Sequence, residues 1–271
     1  MNGKNLRLDK FFDKGKNAVV VAIDHGEFDG PIQGMIDLPK TAMKINPCVD
    51  GILVSPGMLK QCQHAFNCKG APMPIVRLNW NTVYCFHWNY EKAISASVIS
   101  VADAVALGAE MVLVSLTLQT GDEKTDARNI EIYSKLSNEA DRLGIPVIGE
   151  AFPNKTDKLS ADELHEQVYS LTRIIVELGA DMIKTFYTNK FKEVVKSCPV
   201  PILGLGAEKK PTQLEALQLA YDEIGDGARG VVFGRNAIQV ENPKNFQKAL
   251  CDVVKNNIKA EEVVKKYKLE S

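Results

Sequence analysis

The sequence of 271 residues contains no apolar run approaching the ~20 residues of a membrane-spanning helix. The longest run near its start is 18–23, and residues 1–16 are of mixed charge without a hydrophobic centre, so no export signal is visible. Neither sign of charge dominates: 33 Lys+Arg stand against 34 Asp+Glu, for a net charge of −1. The basic footprint of a nucleic-acid or anionic-membrane binder is therefore missing. Histidine is scarce, at 4 residues, and the six cysteines, Cys48, Cys62, Cys68, Cys85, Cys198 and Cys251, include no Cys-x-x-Cys. Reduced thiols in a cytoplasmic protein are the expectation. The groups Cys62-x-His64-x₃-Cys68 and Cys85-x-His87 match no standard zinc spacing, so no metal is expected. Two further motifs are missing. No Gly-x-Gly-x-x-Gly follows the first apolar run, which removes the commonest reason for a doubly wound dinucleotide-binding sheet. No nucleophile elbow surrounds Ser55 or Ser115.

What is present is regular. At 45% hydrophobic and 25% charged residues, the chain has ample apolar material for a core. Short apolar runs recur at 18–24, 51–55, 74–79, 110–116, 146–152, 181–186, 200–204 and 230–234, each ending near Gly, Pro, Asp or Asn. Helical patterns fill most of the gaps, with a capping box at Ser160-Ala-Asp-Glu163 and an Asn242-Pro243 helix start. Leu107-Gly-Ala109, Leu178-Gly-Ala180 and Asp226-Gly-Ala228 share one phrase, a glycine closing a helix before a strand. Eight strand–helix alternations without a break in composition predict an α/β fold: one (β/α)₈ TIM barrel spanning 1–271 as a single domain. Residues 255–271 read as a C-terminal tail, a short exposed helix or a contact arm, and His165 as a surface residue. The aromatic-rich stretch 80–95 would be the loop after the third strand, either a lid or a subunit contact.

In such a barrel the C-terminal ends of the strands carry the chemistry. These ends are Asp24 and His25, Ser55, Asn79, Ser115 and Thr117, Glu150 and Phe152, Lys184, Gly204 and Gly206, and Gly234 with Arg235. Lys184 lies between apolar residues in Asp181-Met-Ile-Lys-Thr-Phe-Tyr187. Left unpaired there, it would be driven toward the neutral amine, which can condense with a carbonyl as a Schiff base. Paired with Asp24 or Glu150, it would be structural. Gly204-Leu-Gly-Ala207 and Gly234-Arg235 end the last two strands, where backbone N–H groups and a guanidinium can hold a phosphate.

From about Val19 to Val254 the chain resembles the class I, Schiff-base aldolase family. That family includes archaeal-type fructose-bisphosphate aldolase, 2-amino-3,7-dideoxy-heptulosonate synthase and the thiolase of phosphorylated autoinducer breakdown. The resemblance rests on Asp24-His-Gly26 with Gly30-Pro-Ile-Gln-Gly-Met-Ile-Asp37, on Lys184-Thr-Phe-Tyr-Thr188, and on Gly234-Arg-Asn236 with Gln239. It implies a Schiff base on Lys184, proton handling by Asp24, and a phosphate cradle at Gly206, Lys209, Gly234 and Arg235, with Gly204 and Ala207 in the same turn. His25, Asn79, Ser115 and Phe152 would line the pocket. Two departures stand out. The family's strand-five tyrosine is here Phe152, in Phe152-Pro-Asn-Lys155, and Leu205-Gly-Ala-Glu-Lys209 replaces a double glycine. Glu150 shares the inward face with Phe152 and is the expected substitute for the missing acid–base group, with Tyr187 as a second candidate. The implied activity is a cofactor-free aldehyde-lyase acting on a phosphorylated ketose such as fructose 1,6-bisphosphate, with dihydroxyacetone phosphate as the ketone fragment. A transaldolase-type synthase or a thiolase on the same lysine is the alternative, and a non-catalytic sugar-phosphate-binding barrel is another. The partners implied are a small phosphorylated sugar or ketone and further copies of the chain, as a homo-oligomer.

Overall fold

A computed structural model describes residues 3–270. Its strands are β1 (Ala18–Ala22), β2 (Gly51–Val54), β3 (Met73–Arg77), β4 (Asn79–Asn81), β5 (Ser95–Ser97), β6 (Met111–Leu116), β7 (Val147–Ala151), β8 (Met182–Thr185), β9 (Ile202–Leu205) and β10 (Gly230–Phe233). β4 and β5 pair with each other as a short antiparallel ribbon, and the other eight close into a parallel barrel in chain order. Closure is by β1 against β10, with Ala18 opposite Gly230, while Val20 lies opposite Gly51 on the other side of β1. The fold is a single-domain TIM barrel. Each of the eight expected runs supplies one barrel strand.

The two-residue period of a strand sorts the apolar side chains into two cores. Inside the barrel lie Ala18, Val20, Ala22, Leu53, Met73, Ile75, Met111, Leu113, Ile148, Met182, Leu203 and Val232. The alternate residues, Val19, Val21 and Ile23 among them, pack outward against the helices. The helix Ala161–Glu177 shows how the outer layer is built. Ser160 accepts from the Glu163 N–H while the Glu163 carboxylate accepts from the Ser160 N–H, and the buried face then runs through His165, Val168, Leu171, Thr172 and Ile175. His165 is therefore inside, hydrogen-bonded to the Thr188 hydroxyl at 3.1 Å, and the surface position expected for it is corrected. Its place on the helical stripe decides the matter, not its polarity. Gly108, Gly179 and Gly227 all take positive φ, as the shared helix-ending phrase requires.

Both ends of the chain pack on the barrel. A helix at Gly3–Phe11 closes the N-terminal mouth, with Phe11 in the interior core and Lys4 bridging Asp181 at 2.8 Å and Asp141 at 3.1 Å. The expected exposed tail is also corrected. Residues 260–267 are helical, but Val263 and Val264 are buried with Ala260, because the three form one apolar ridge on an otherwise charged helix. Lys266 and Tyr267 tie this helix to Asp252, at 2.6 and 2.9 Å. No helix among the described residues is long and apolar enough to cross a membrane.

Candidate active site

The alternation that fills the barrel with apolar side chains also builds its C-terminal rim. On β3 the inward residues are Met73, Ile75 and then Arg77; on β6, Met111, Leu113 and then Ser115. On β7 Ile148 is followed by Glu150, and on β8 Met182 by Lys184; beyond β1, two residues after Ala22, comes Asp24. One more inward step on five strands thus places two acids, two bases and a hydroxyl over an apolar floor.

They form one connected cluster. The Lys184 side-chain nitrogen lies 2.5 Å from Glu150 Oε1, and Glu150 Oε2 forms an ion pair with Arg77 Nη2 at 2.8 Å and accepts from the Tyr84 hydroxyl at 2.8 Å. Arg77 Nε donates to Asp24 Oδ2 at 2.6 Å, and the guanidinium lies over the rings of Phe28 and Tyr84, 5.1 and 4.9 Å from their centroids. All of this is nearly sealed: Lys184 is 7% exposed, Asp24 4%, Arg77 2% and Glu150 1%. The unpaired amine expected at Lys184 is thus corrected: the residue is paired, with one of the two carboxylates that its surroundings suggested, because the inward position on the neighbouring strand β7 is Glu150.

Electrostatics follow from burial and pairing. Burial pushes Asp24 and Glu150 up, but Arg77 and then Lys184 more than offset it and hold both carboxyls below their usual range. Arg77 stays cationic in spite of its burial, because Glu150 and Asp24 flank it. The Tyr84 phenol is held well above its ordinary range, first by burial and then by the Glu150 charge. His25 is driven down to about 4 by burial, against the pull of Asp24 and with the cations Lys184, Arg235 and Arg77 adding to it. Glu27, half-buried with both carboxyl oxygens enclosed beside this cluster, is pushed up to about 7 by that desolvation. Two carboxylates thus share a small, nearly sealed volume with the Arg77 and Lys184 side chains that hold them ionised.

The other expected positions distribute as follows. The Asn79 side chain donates to the Ser115 carbonyl and accepts from the Ser115 N–H, both at 2.8 Å, so it fastens β4 to β6. Phe152 packs its ring 4.5 Å from Tyr84 and 5.0 Å from Phe186, forming an aromatic roof with Phe28. His25 sits so close to Gly234 that a Cβ there would overlap its ring. Gly206 and Gly234 stand at the ends of the last two barrel strands, and Ala207 takes φ +48°. Arg235 Nη2 donates to the Ala207 carbonyl at 3.0 Å, while its Nε is buried without a hydrogen-bond partner within the described residues. Lys209 is exposed on the same turn. Two residues lie elsewhere. Gly204 faces outward, because Leu203 takes the inward position; the Glu223 carboxyl fills the space beside it. Tyr187 donates its hydroxyl to Asp226 at 2.8 Å, since it lies past the end of β8 and points into the helix layer. Among the described residues, no three His, Cys, Asp or Glu side chains gather as a metal-ligand set.

Sequence reasoning missed Arg77, Tyr84 and Glu27. Arg77 was legible: strand three was read to end at Asn79, but the inward sequence Met73, Ile75, Arg77 ends in a charge. Tyr84 carries no such signal. It arrives through the tight turn Thr82–Tyr84, capped by the Asn81 side chain, which folds the ribbon back over the barrel.

A protein-family model described as DeoC/LacD family aldolase matches residues 18–240. An uncharacterized aldolase of Saccharolobus solfataricus is 34% identical over 270 residues, 98% of this chain and 99% of the relative. The 2-amino-3,7-dideoxy-D-threo-hept-6-ulosonate synthase 1 of Archaeoglobus fulgidus is 30% identical over 97% of this chain and 95% of its own length. An archaeal fructose-1,6-bisphosphate aldolase, solved with its catalytic Lys covalently bound to the carbinolamine intermediate of the substrate, superposes with a TM-score of 0.78. That structure is 25% identical and covers 93% of this chain and 99% of its own. The barrel, its polar rim and these relatives agree, and the chain belongs to the DeoC/LacD family of aldolases.

Proposed function

We propose that this aldolase works through a Schiff base on Lys184 and cleaves or forms a phosphorylated ketose, with dihydroxyacetone phosphate as the ketone fragment. The observation that carries the reading is the Lys184–Glu150 contact of 2.5 Å in a nearly sealed site. An amine on this strand needs a base to take its proton before it can attack, and Glu150 is already in contact with that proton. The free Nζ adds to the C2 ketone, water leaves, and the resulting iminium draws in the electrons of the breaking carbon–carbon bond. Asp24, fixed by Arg77 and ionised, takes the proton of the hydroxyl whose carbon becomes the aldehyde. Protonation and hydrolysis of the enamine then return the ketone and Lys184. The phosphate would sit against the backbone of Gly206, Ala207 and Gly234, with Lys209 and Arg235 supplying charge. The buried Arg235 Nε without a partner supports that placement.

A second reading, a synthase that passes the enamine to an acceptor, is favoured by the 30% identity to the Archaeoglobus synthase. Product analysis with and without an added aldehyde separates the two. The first test is borohydride reduction with dihydroxyacetone phosphate, followed by peptide mass analysis. The expected result is a reduced adduct on the peptide holding Lys184, and none in Lys184→Ala. No adduct on the wild-type chain overturns the reading.

A further inference from the structure

We infer that Tyr84, brought over the barrel by the β4–β5 ribbon, is a catalytic residue that carries a proton between Glu150 and the oxygen lost when the Lys184 carbinolamine becomes an iminium. The inference rests on the Lys184 reading above and assigns a step within it.

The reaction balance sets the requirement. A ketone and a Lys184 ammonium become a protonated imine and one water, so two of the three ammonium hydrogens end on the departing oxygen. One moves from nitrogen to oxygen as the tetrahedral adduct forms. The other is the proton that Glu150 takes to free the amine, and it must then reach a hydroxyl on the former carbonyl carbon. Glu150 is ill-placed to hand it over directly. Its Oε1 faces Nζ at 2.5 Å, and Oε2 is occupied by Arg77 and Tyr84, each at 2.8 Å. The phenol is the neutral group on that second oxygen. Once Oε1 holds the proton and Glu150 is neutral, a half-turn of the carboxyl brings that oxygen to the phenol, which takes the proton while releasing its own to the leaving hydroxyl.

Such an exchange leaves Tyr84 neutral before and after. A buried phenolate beside Glu150 is never formed, which agrees with the strongly raised phenol. Position supports the assignment further. The Tyr84 ring is fixed between Phe28 at 4.7 Å, Phe152 at 4.5 Å and the Arg77 guanidinium at 4.9 Å. The other hydroxyls near this rim are engaged elsewhere, that of Ser115 donating to Asn79 Oδ1 at 3.3 Å. Thr117 donates to the Phe152 carbonyl at 2.8 Å, Thr185 to the Ala151 carbonyl at 3.2 Å, and Tyr187 to Asp226. Phe152 has none to offer.

The test uses Tyr84→Phe, which keeps the ring and its packing. Dihydroxyacetone phosphate is the probe, with three readouts: the rate of borohydride-trapped adduct formation, deuterium exchange at C3 by NMR, and equilibrium binding. The expected result is a 10²- to 10⁴-fold slower trapping and exchange, the range for loss of a general acid–base group, with binding within about threefold. A merely structural role would weaken binding together with the rates. Trapping and exchange within threefold of wild type overturn the assignment of Tyr84 and leave Lys184 standing. No adduct on the wild-type chain overturns both.

Discussion

Replacing Arg77 by Met tests the reasoning about the rim most directly, because it removes the one group that touches both carboxylates. Asp24 and Glu150 would remain buried, at 4% and 1% exposure, and among the described residues Lys184 would be the single cation in contact with Glu150, while Asp24 would keep only the neutral His25 ring at 3.8 Å. Breaking a buried ion pair from one side costs about 3–5 kcal/mol, and the lost cation–π contacts with Phe28 and Tyr84 add to it. For a chain of 271 residues the unfolding entropy is roughly 0.6 kcal/mol/K, so the melting temperature should fall by about 5–10 °C at pH 8. The pH dependence decides the cause. With Arg77 present both carboxyls are held below their unfolded values, so their contribution is in place above the unfolded range and fades as pH falls through the folded one. Without Arg77, burial is left largely unopposed and at least one carboxyl rises above its unfolded value. Its contribution is then in place at low pH and fades as pH rises. The deficit of Arg77→Met should therefore shrink between pH 8 and pH 5. Calorimetric melts of both proteins at the two pH values measure it. A variant within 2 °C of wild type at pH 8, or one with a larger deficit at pH 5, refutes the argument.

Two further outcomes follow from the same structure. Glu27 is raised by burial to about 7 from an ordinary 4.5, so it favours the fold fully below the lower value and loses that contribution as pH rises through 7, by up to about 3 kcal/mol. Glu27→Gln should flatten this slope and gain stability relative to wild type from pH 5 to pH 8; parallel melting curves across that range would count against it. Cys48 and Cys251 are free thiols with their sulfurs 2.9 Å apart, one before β2 and the other on the helix Pro243–Asn256. A peroxide, reduced to water, should take two hydrogens from the pair and leave a Cys48–Cys251 peptide link that dithiothreitol reverses, whereas recovery of both cysteines alkylated after peroxide treatment refutes it.

Much of the barrel was legible because its signal is repetitive. Each strand is a short apolar run ended by a turn residue, and the parallel order follows once eight of them alternate with helices. Asp24, Glu150 and Lys184 were legible for the same reason: a charge in an apolar run has nowhere to go except the open end of the barrel. What escaped notice depends on contacts between distant segments. Phe11 reads as one aromatic residue in a polar stretch, and it becomes a barrel plug only through its contacts with strands far along the chain. Val263 and Val264 find their place only against helices that the sequence does not pair with them. Gly204 looked like a phosphate glycine because it ends an apolar run, but its face is set by Leu203, one residue before. Tyr84 lies where no periodicity holds, and its side chain is aimed by the turn and the Asn81 cap.

The ribbon β4–β5 joins two kinds of part in one site. Asp24, Arg77, Glu150 and Lys184 stand on or directly after the strands of a closed barrel, which cannot shift one member alone. Tyr84 and Cys85 press down from the ribbon, while Phe86, Trp88 and Tyr90 beyond them point to solvent, 59%, 58% and 52% exposed. Lys184 is only 7% exposed and the Tyr84 hydroxyl rests on Glu150 from this roof, so a displacement of the roof that uncovered the amine would also take that hydroxyl off the carboxylate. On the mechanism proposed above, admission and chemistry would then exclude each other in time. With the roof displaced the proposed set of reacting groups would be one short, and with it in place the last of them would stand over a nearly sealed amine. An enamine formed on Lys184 beneath it would meet only the protons that the enzyme itself supplies.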